Sequence, residues 1–123
     1  MQLPRFDISI VEGQDFSQEF KIKNPDGTYK ILTGYTVESE IRTDFDEQAV
    51  LIKPLSHTID EDTLTLSLSH SDTLDLAPPV NPNSARSTIG YYDVFLTSPV
   101  DGKRKYFVGG RVGYTQTITK VVI

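Results

Sequence analysis

The side chains best suited to chemistry in this sequence are two histidines and two short acidic clusters. His57 and His70 are the only imidazoles, and the carboxylates group in Asp44-x-Asp46-Glu47 and Asp60-Glu61-Asp62. A zinc site would need these groups, because the chain has no cysteine. The histidines have no HxH or HExxH spacing, and neither cluster has the spaced oxygen ligands and central glycine of a helix-loop-helix calcium site. We therefore interpret the clusters as solvated acidic turns, and predict no metal and no cofactor.

Other catalytic arrangements are also missing from the sequence. No serine lies in a GxSxG motif, which would form a nucleophile elbow. The glycines of Gly109-Gly110-Arg111-Val112-Gly113 precede no helical pattern, so they do not indicate a phosphate-binding loop. Glycoside hydrolysis uses two carboxylates at a separation that only the fold determines, and the sequence does not single out such a pair. We expect a protein that is not an enzyme.

Charge and hydropathy argue against nucleic acid and membrane as partners. The net charge is −5, and the basic residues are dispersed except for Lys103-Arg104-Lys105. Binding to the phosphates of nucleic acid needs a surface on which many basic residues cluster, and one basic tripeptide is too small for that. The sequence has neither a signal-peptide pattern nor an apolar run of about 18 residues. We expect a soluble chain, synthesised in the cytoplasm, that binds neither nucleic acid nor membrane.

The sequence pattern predicts short β-strands along the whole chain. In the central stretch 31–42, Tyr35, Val37, Ser39 and Ile41 share one side and polar residues the other, which is typical of a half-buried strand. Residues 63–69 alternate three leucines with hydroxyl residues. About eight such segments recur at the spacing of an all-β sandwich. We predict one antiparallel β-sandwich domain over 1–123, with a short N-terminal arm at 1–5.

Turns and breaks divide the strands. Tight turns are predicted at 24–27, 60–62 and 99–102, where glycine, proline and acidic residues cluster. Pro54, within a predicted strand over 49–59, indicates an edge position or a bulge. The pattern changes at 70–76, which predicts one short helix with a serine cap. A long proline-rich loop follows at 77–88, before a hairpin whose first strand begins at Gly90.

Aromatic side chains are concentrated on this last hairpin. Tyr91 and Tyr92 are adjacent, as are Tyr106 and Phe107. Neighbours in a regular strand face opposite sides of the sheet, so one of each pair points away from the core. Tyr91 and Tyr106 are therefore candidate exposed anchors, for a protein partner or for a glycan.

The order of several motifs resembles the small immunoglobulin-like domain of bacteriophage tail proteins, such as the N-terminal domain of the phage baseplate upper protein family. The resemblance covers about Ile8 to Val112, and its most specific part is the block Leu32-Thr33-Gly34-Tyr35-Thr36-Val37 followed by Ile41-Arg42. Further similar blocks are Gly13-x-Asp15-Phe16, Phe20-x-Ile22, Asp26-Gly27, Leu64-x-Leu66-x-Leu68, Gly90-Tyr91-Tyr92-Asp93-Val94 and Asp101-Gly102.

The resemblance implies an immunoglobulin-like sandwich without a catalytic site, acting as a structural protein of the virion. We expect a tail, baseplate or neck adaptor that scaffolds assembly by contacting other phage structural proteins in a symmetric, multi-copy arrangement. The sequence departs from such domains at Pro78–Thr88, where the link is longer, and we expect no fibre module after Ile123. Both favour a stand-alone adaptor over a fibre shaft. The alternatives are a capsid decoration protein and, from another class, a surface-displayed glycan-binding module.

Three segments are predicted to meet neighbouring subunits: the proline-rich loop, the N-terminal arm through Phe6, and the C-terminal end. Proline stiffness lowers the ordering cost of binding, and both chain ends carry apolar residues. The predicted contact residues are Pro78, Pro79, Val80, Pro82, Arg86, Leu3, Phe6, Val121, Val122 and Ile123.

Overall fold

The described part of the chain forms eight β-strands in two sheets. The computed structural model describes residues 4–44, 49–74, 76 and 86–115, without the side chains of Arg86 and Ser87. The strands are β1 (Ile8–Val11), β2 (Phe16–Phe20), β3 (Thr36–Arg42), β4 (Leu51–Pro54), β5 (Ser56–Asp60), β6 (Thr63–Leu68), β7 (Arg86–Thr97) and β8 (Arg104–Thr115). One sheet has the order β1-β8-β7-β3-β4 and the other β2-β6-β5. The predicted all-β, sandwich-like class is confirmed, and the described residues contain no helix, hence none that could span a membrane.

The core lies between the sheets and follows from the alternation in the strands. On β6, Leu64, Leu66 and Leu68 are buried while the threonines and serine between them are half-exposed. On β3, Val37 and Ile41 are buried. The other large buried apolar side chains are Ile8, Ile10, Phe16, Leu32, Leu55, Leu76, Tyr92, Val94, Leu96, Val108, Val112 and Tyr114.

The predicted turns at 24–27, 60–62 and 99–102 are all present. Gly27 and Gly102 have positive φ angles of 91° and 69°, which glycine adopts without a steric penalty. The β5–β6 hairpin pairs Asp60 with Thr63 across a two-residue turn, in which Glu61 has a φ of 54°. The acidic residues at 60–62 therefore form a hairpin turn.

The predicted strand over 49–59 is wrong, because the chain changes sheet within it. Pro54 ends β4, the edge strand of the five-stranded sheet, in agreement with the expected edge position. Leu55 is buried between the sheets, and its N–H donates to the Ser39 carbonyl at 3.0 Å. The next residue starts β5 in the other sheet.

The all-antiparallel prediction also needs correction, because β1 pairs with β8 in parallel, with Ile8 opposite Val112 and Val11 opposite Thr115. An earlier parallel bridge joins Arg5 to Gly109. The prediction assumed hairpin neighbours, which are antiparallel, whereas β1 and β8 come from opposite ends of the chain and no hairpin fixes their direction.

The short helix predicted at 70–76 is replaced by turns over the residues described there. Thr73 N–H donates to Ser69 O four residues back, but Leu74 N–H donates to Ser71 O three residues back. Side chains compete for the same backbone groups: Ser69 Oγ accepts the Asp72 N–H, and Thr73 Oγ1 donates to the His70 carbonyl. Such local bonds favour turns over helix.

The proline-rich loop is shorter than predicted at its C-terminal end. Strand β7 begins at Arg86, four residues before Gly90, and pairs with the end of β8 through Arg86 and Thr115. Residues 77–85 of the loop lie outside the described part of the chain.

Candidate functional site

The outer face of the five-stranded sheet carries partly exposed aromatic and charged side chains. On β7, Tyr92, Val94 and Leu96 are buried in the core. Tyr91 and Phe95 alternate with them and are half-exposed on the outer face. The predicted opposite orientation of Tyr91 and Tyr92 is confirmed.

A β-bulge in β8 directs a second tyrosine to the same face. Phe95 pairs with Tyr106 and Val94 with Val108, so Phe107 is the extra residue. Phe107 packs against the core, and Tyr106 lies beside Phe95 on the outer face. The predicted opposite orientation of Tyr106 and Phe107 is also confirmed.

Phe95, Tyr106 and Arg104 form a contact cluster, here called the aromatic patch. The rings of Phe95 and Tyr106 meet edge to face with centroids 5.8 Å apart. The Arg104 guanidinium lies 3.6 Å from the Phe95 ring centroid, and its Nε donates to Glu38 Oε1 at 3.0 Å. Each member has at least one fixed neighbour, so the patch is ordered before any partner binds.

A cleft of about 240 Å³ lies next to the aromatic patch, and is here called the tyrosine cleft. Its walls are Tyr91 and Tyr106, the arginines 5 and 111, Pro4, and the backbone of Gly109 and Gly110. The Tyr106 hydroxyl donates to the Pro4 carbonyl at 3.1 Å, which holds the N-terminal segment against the sheet.

Asp7 fixes the charged wall of the tyrosine cleft. Its Oδ1 accepts hydrogen bonds from Arg5 Nε at 3.0 Å and from the Arg111 backbone N–H at 2.9 Å. These bonds, led by the one from Arg5, hold the pKa of Asp7 below its usual value. Asp7 therefore stays ionised, and positions the arginine beside the tyrosines.

Two carboxylates lie side by side in the middle of the outer face. Glu40 on β3 pairs in register with Asp93 on β7, and also binds Arg42. Burial, followed by the charge of Glu40, raises the pKa of Asp93. The hollow above them is about 80 Å³, far below the few hundred Å³ of ordinary ligand pockets. The hollow therefore leaves little room for a substrate.

The histidines and acidic clusters are distributed over turns and edges. His70 lies in the turn after β6, where its Nδ1 is 3.0 Å from Asp15 Oδ1, and this contact holds the pKa of Asp15 below its usual value. His57 is exposed on the edge strand β5. Over the described ranges, no group of three or more histidine and acidic side chains is placed to hold a metal ion.

No family model matches this chain, and no curated protein matches it either.

Of the predicted contact residues, Phe6 is the one whose side chain is described. It is 43% exposed, and its ring meets Phe20 edge to face at 5.5 Å, while Phe20 in turn meets Phe107 at 5.8 Å. Phe6 thus closes one margin of the gap between the sheets and keeps an exposed side. The backbone of Arg86 starts β7. Outside the described part of the chain lie Leu3, Pro78, Pro79, Val80, Pro82, Val121, Val122 and Ile123.

Sequence reasoning missed Phe95 and Arg104 as members of this face. Phe95 shares the parity of Tyr91 four residues earlier, so strand alternation could have found it. Arg104 was counted with its two lysine neighbours as one charge cluster. Alternation in β8 could have separated it from them.

Proposed function

We propose that this chain is a non-enzymatic structural protein of a phage virion, an adaptor of the tail, baseplate or neck that scaffolds assembly through protein contacts. The observation that carries the proposal is the strand order. The pairings β2-β6-β5 and β8-β7-β3 are those expected for strands B-E-D and G-F-C of an immunoglobulin sandwich, with β4 added at one edge, while β1 pairs with β8. This order supports the immunoglobulin-like resemblance to phage tail domains.

The outer face of the five-stranded sheet is the surface that best suits an adaptor. Tyrosine and arginine are enriched at the centres of protein interfaces, because they offer large contact areas with polar tips. The aromatic patch and Tyr91 combine both residue types on a flat strand surface. The fixed neighbours of the patch reduce the entropy lost on binding.

Immunogold electron microscopy of particles from the source, with an antibody against this chain, tests the virion role. We expect label at the tail, the baseplate or the neck. Label spread across the head would instead assign the chain to capsid decoration. Absence of the protein from particles both before and after disassembly would overturn the virion role.

Tyr91→Ala tests the outer face. We expect this variant to fold and to be incorporated into particles at least tenfold less, since losing one central aromatic costs about 2 kcal/mol or more of binding. The matched control is Tyr29→Ala, which removes an exposed tyrosine at a turn outside this face. Incorporation is measured by quantitative blotting of purified particles, and folding by circular dichroism. Equal incorporation of both variants would contradict a role for this face.

A second candidate, from a different class, is glycan binding in the tyrosine cleft. It is favoured by the two tyrosines and the arginine wall around about 240 Å³, since aromatic rings stack on sugars. Saturable binding on a glycan array that disappears in folded Tyr91→Ala would establish this candidate. No saturable binding by the wild-type chain would remove it.

A further inference from the structure

A second cleft, of about 310 Å³, opens at the end of the sandwich where β7 turns into β8. Three lysines, Lys30, Lys103 and Lys105, line it above half-buried apolar side chains that include Ile22, Tyr35 and Phe107. We call it the lysine cleft.

Strand alternation builds this cleft from the basic tripeptide. Arg104 lies on the outer face over Phe95, whereas Lys105 pairs in register with Leu96, which also lines the cleft. Lys30 joins them from the segment before β3, with its Nζ 5.3 Å from the Tyr35 ring centroid.

The lining makes the cleft selective for an apolar group flanked by negative charge. Asp101 is the one carboxylate among the lining residues, against three ammonium groups, and its Oδ1 accepts the Lys103 backbone N–H at 2.9 Å. The half-buried floor would bury an apolar side chain, while the lysines would attract and orient carboxylates around it.

The chain itself contains a segment with this chemistry. Asp44-Phe45-Asp46-Glu47 places three carboxylates around one phenylalanine, between β3 and β4. β3 runs from Thr36, next to Tyr35 in the cleft, to Arg42, two residues before Asp44. Seven strand residues span about 20 Å at roughly 3.3 Å per residue. Asp44, the residue of this segment that the structure describes, therefore lies beyond the end of β3 that is opposite to the lysine cleft of its own copy.

We propose that the lysine cleft of one copy binds segment 44–47 of a second copy. Because the cleft and the segment are different parts of the chain, the contact is heterologous. A pair of copies still has one cleft and one segment that can each bind a further copy, so the association continues or closes into a ring. This goes beyond the adaptor role, since it concerns the chain with itself. The lysine cleft shares the wall residue Tyr106 with the aromatic patch and the tyrosine cleft, but none of its lysines belongs to either.

Two neutralised variants of the full chain test the contact by light scattering after size exclusion. Lys103→Gln with Lys105→Gln disables the cleft and leaves the segment intact. Asp44→Asn, Asp46→Asn and Glu47→Gln disable the segment and leave the cleft intact. The control, Lys21→Gln with Lys23→Gln, makes the same charge change outside the lining. Circular dichroism verifies that each variant is folded.

We expect the wild-type chain and the control to self-associate at about 0.1–1 mM protein, the range of a weak contact. The association should weaken as salt rises from about 10 mM to about 0.5 M, which screens the carboxylate and lysine charges. Each neutralised variant alone should keep the mass of one chain. Their mixture should stop at two chains, because only one compatible contact remains.

Four results would overturn the proposal: a wild-type chain that stays at one-chain mass, a folded neutralised variant that associates as well as wild type, a control that loses association, or a mixture that stays monomeric. None of these results depends on where the antibody labels particles. The self-association proposal can therefore fail while the virion role stands, and the reverse.

Discussion

Gly90→Ala is expected to lower the free energy of unfolding by about 3 kcal/mol, the upper end of the usual cost of overpacking. A Cβ at position 90 would lie 2.1 Å from the Arg42 carbonyl oxygen and 3.2 Å from Ile52 Cδ1. The first neighbour is backbone in the central strand β3, so relief requires β3 and β7 to separate locally. Urea unfolding followed by circular dichroism measures the loss.

Gly113→Ala on β8 is the matched control for Gly90→Ala. Its added Cβ would lie 3.7 Å from Ile8 O and from Ser9 Oγ, which is ordinary van der Waals contact. We expect a change within about 1 kcal/mol, with the smaller unfolded-state entropy of alanine acting in its favour. Similar losses in the two variants would show that the close approach at Gly90 is not the cause.

Tyr114→Phe is expected to cost about 2 kcal/mol of stability, the middle of the range for leaving a buried polar group without its partner. The Tyr114 hydroxyl donates to the carbonyl of the fully buried Thr73, and lies 3.2 Å from Glu12 Oε2. The Thr73 hydroxyl accepts the Gly13 N–H at 2.9 Å. Thr73 thus joins the turn after β6 to the turn after β1, and the Tyr114 hydroxyl joins Thr73 to β8.

Tyr29→Phe provides the comparison, because this tyrosine is 46% exposed. We expect it to stay within about 0.5 kcal/mol of wild type, as surface substitutions usually do. A Tyr114→Phe variant as stable as this control would mean that the buried hydroxyl contributes no net stability.

Strand alternation and turn residues predicted those elements that neighbouring residues in the sequence determine. The leucine alternation at 63–69 predicted the buried face of β6, because a strand has a side-chain period of two. The turns at 24–27 and 99–102 followed from the backbone freedom of glycine. The assignment of Tyr91 and Tyr106 to the outer face rested on the same parity rule.

Pairing between distant segments could not be predicted in this way. Pro54 indicated an edge, but the crossing at Leu55 depends on which sheet offers the better burial, a property of the whole core. The parallel direction of β1 depends on contacts between Arg5–Val11 and Gly109–Thr115, about a hundred residues away. The turns at 70–74 replaced a helix because serine and threonine side chains took the backbone hydrogen bonds.

The site was predictable to a similar extent. Strand alternation identified the exposed tyrosines, but the tyrosine cleft also needs Pro4 and Arg5. The Tyr106 hydroxyl holds Pro4 in place and Asp7 holds Arg5. The lysine cleft joins Lys30 to Lys103 and Lys105 across about 70 residues, through the pairing of β3 with β7 and β7 with β8. Only the folded sheet brings these charges together.

The parallel pairing of β1 with β8 also determines how the described domain would carry a mechanical load. The chain enters β1 at Ile8 beside Val112 and leaves β8 at Thr115 beside Val11. A force pulling these two points apart acts along the strands, so the hydrogen bonds of the ladder are loaded in shear and must break together. A hairpin pulled at its open end would instead unzip one bond at a time. Tethered through these two strands, the domain would resist tension by a high barrier to forced unfolding, which is a rate and not an equilibrium property.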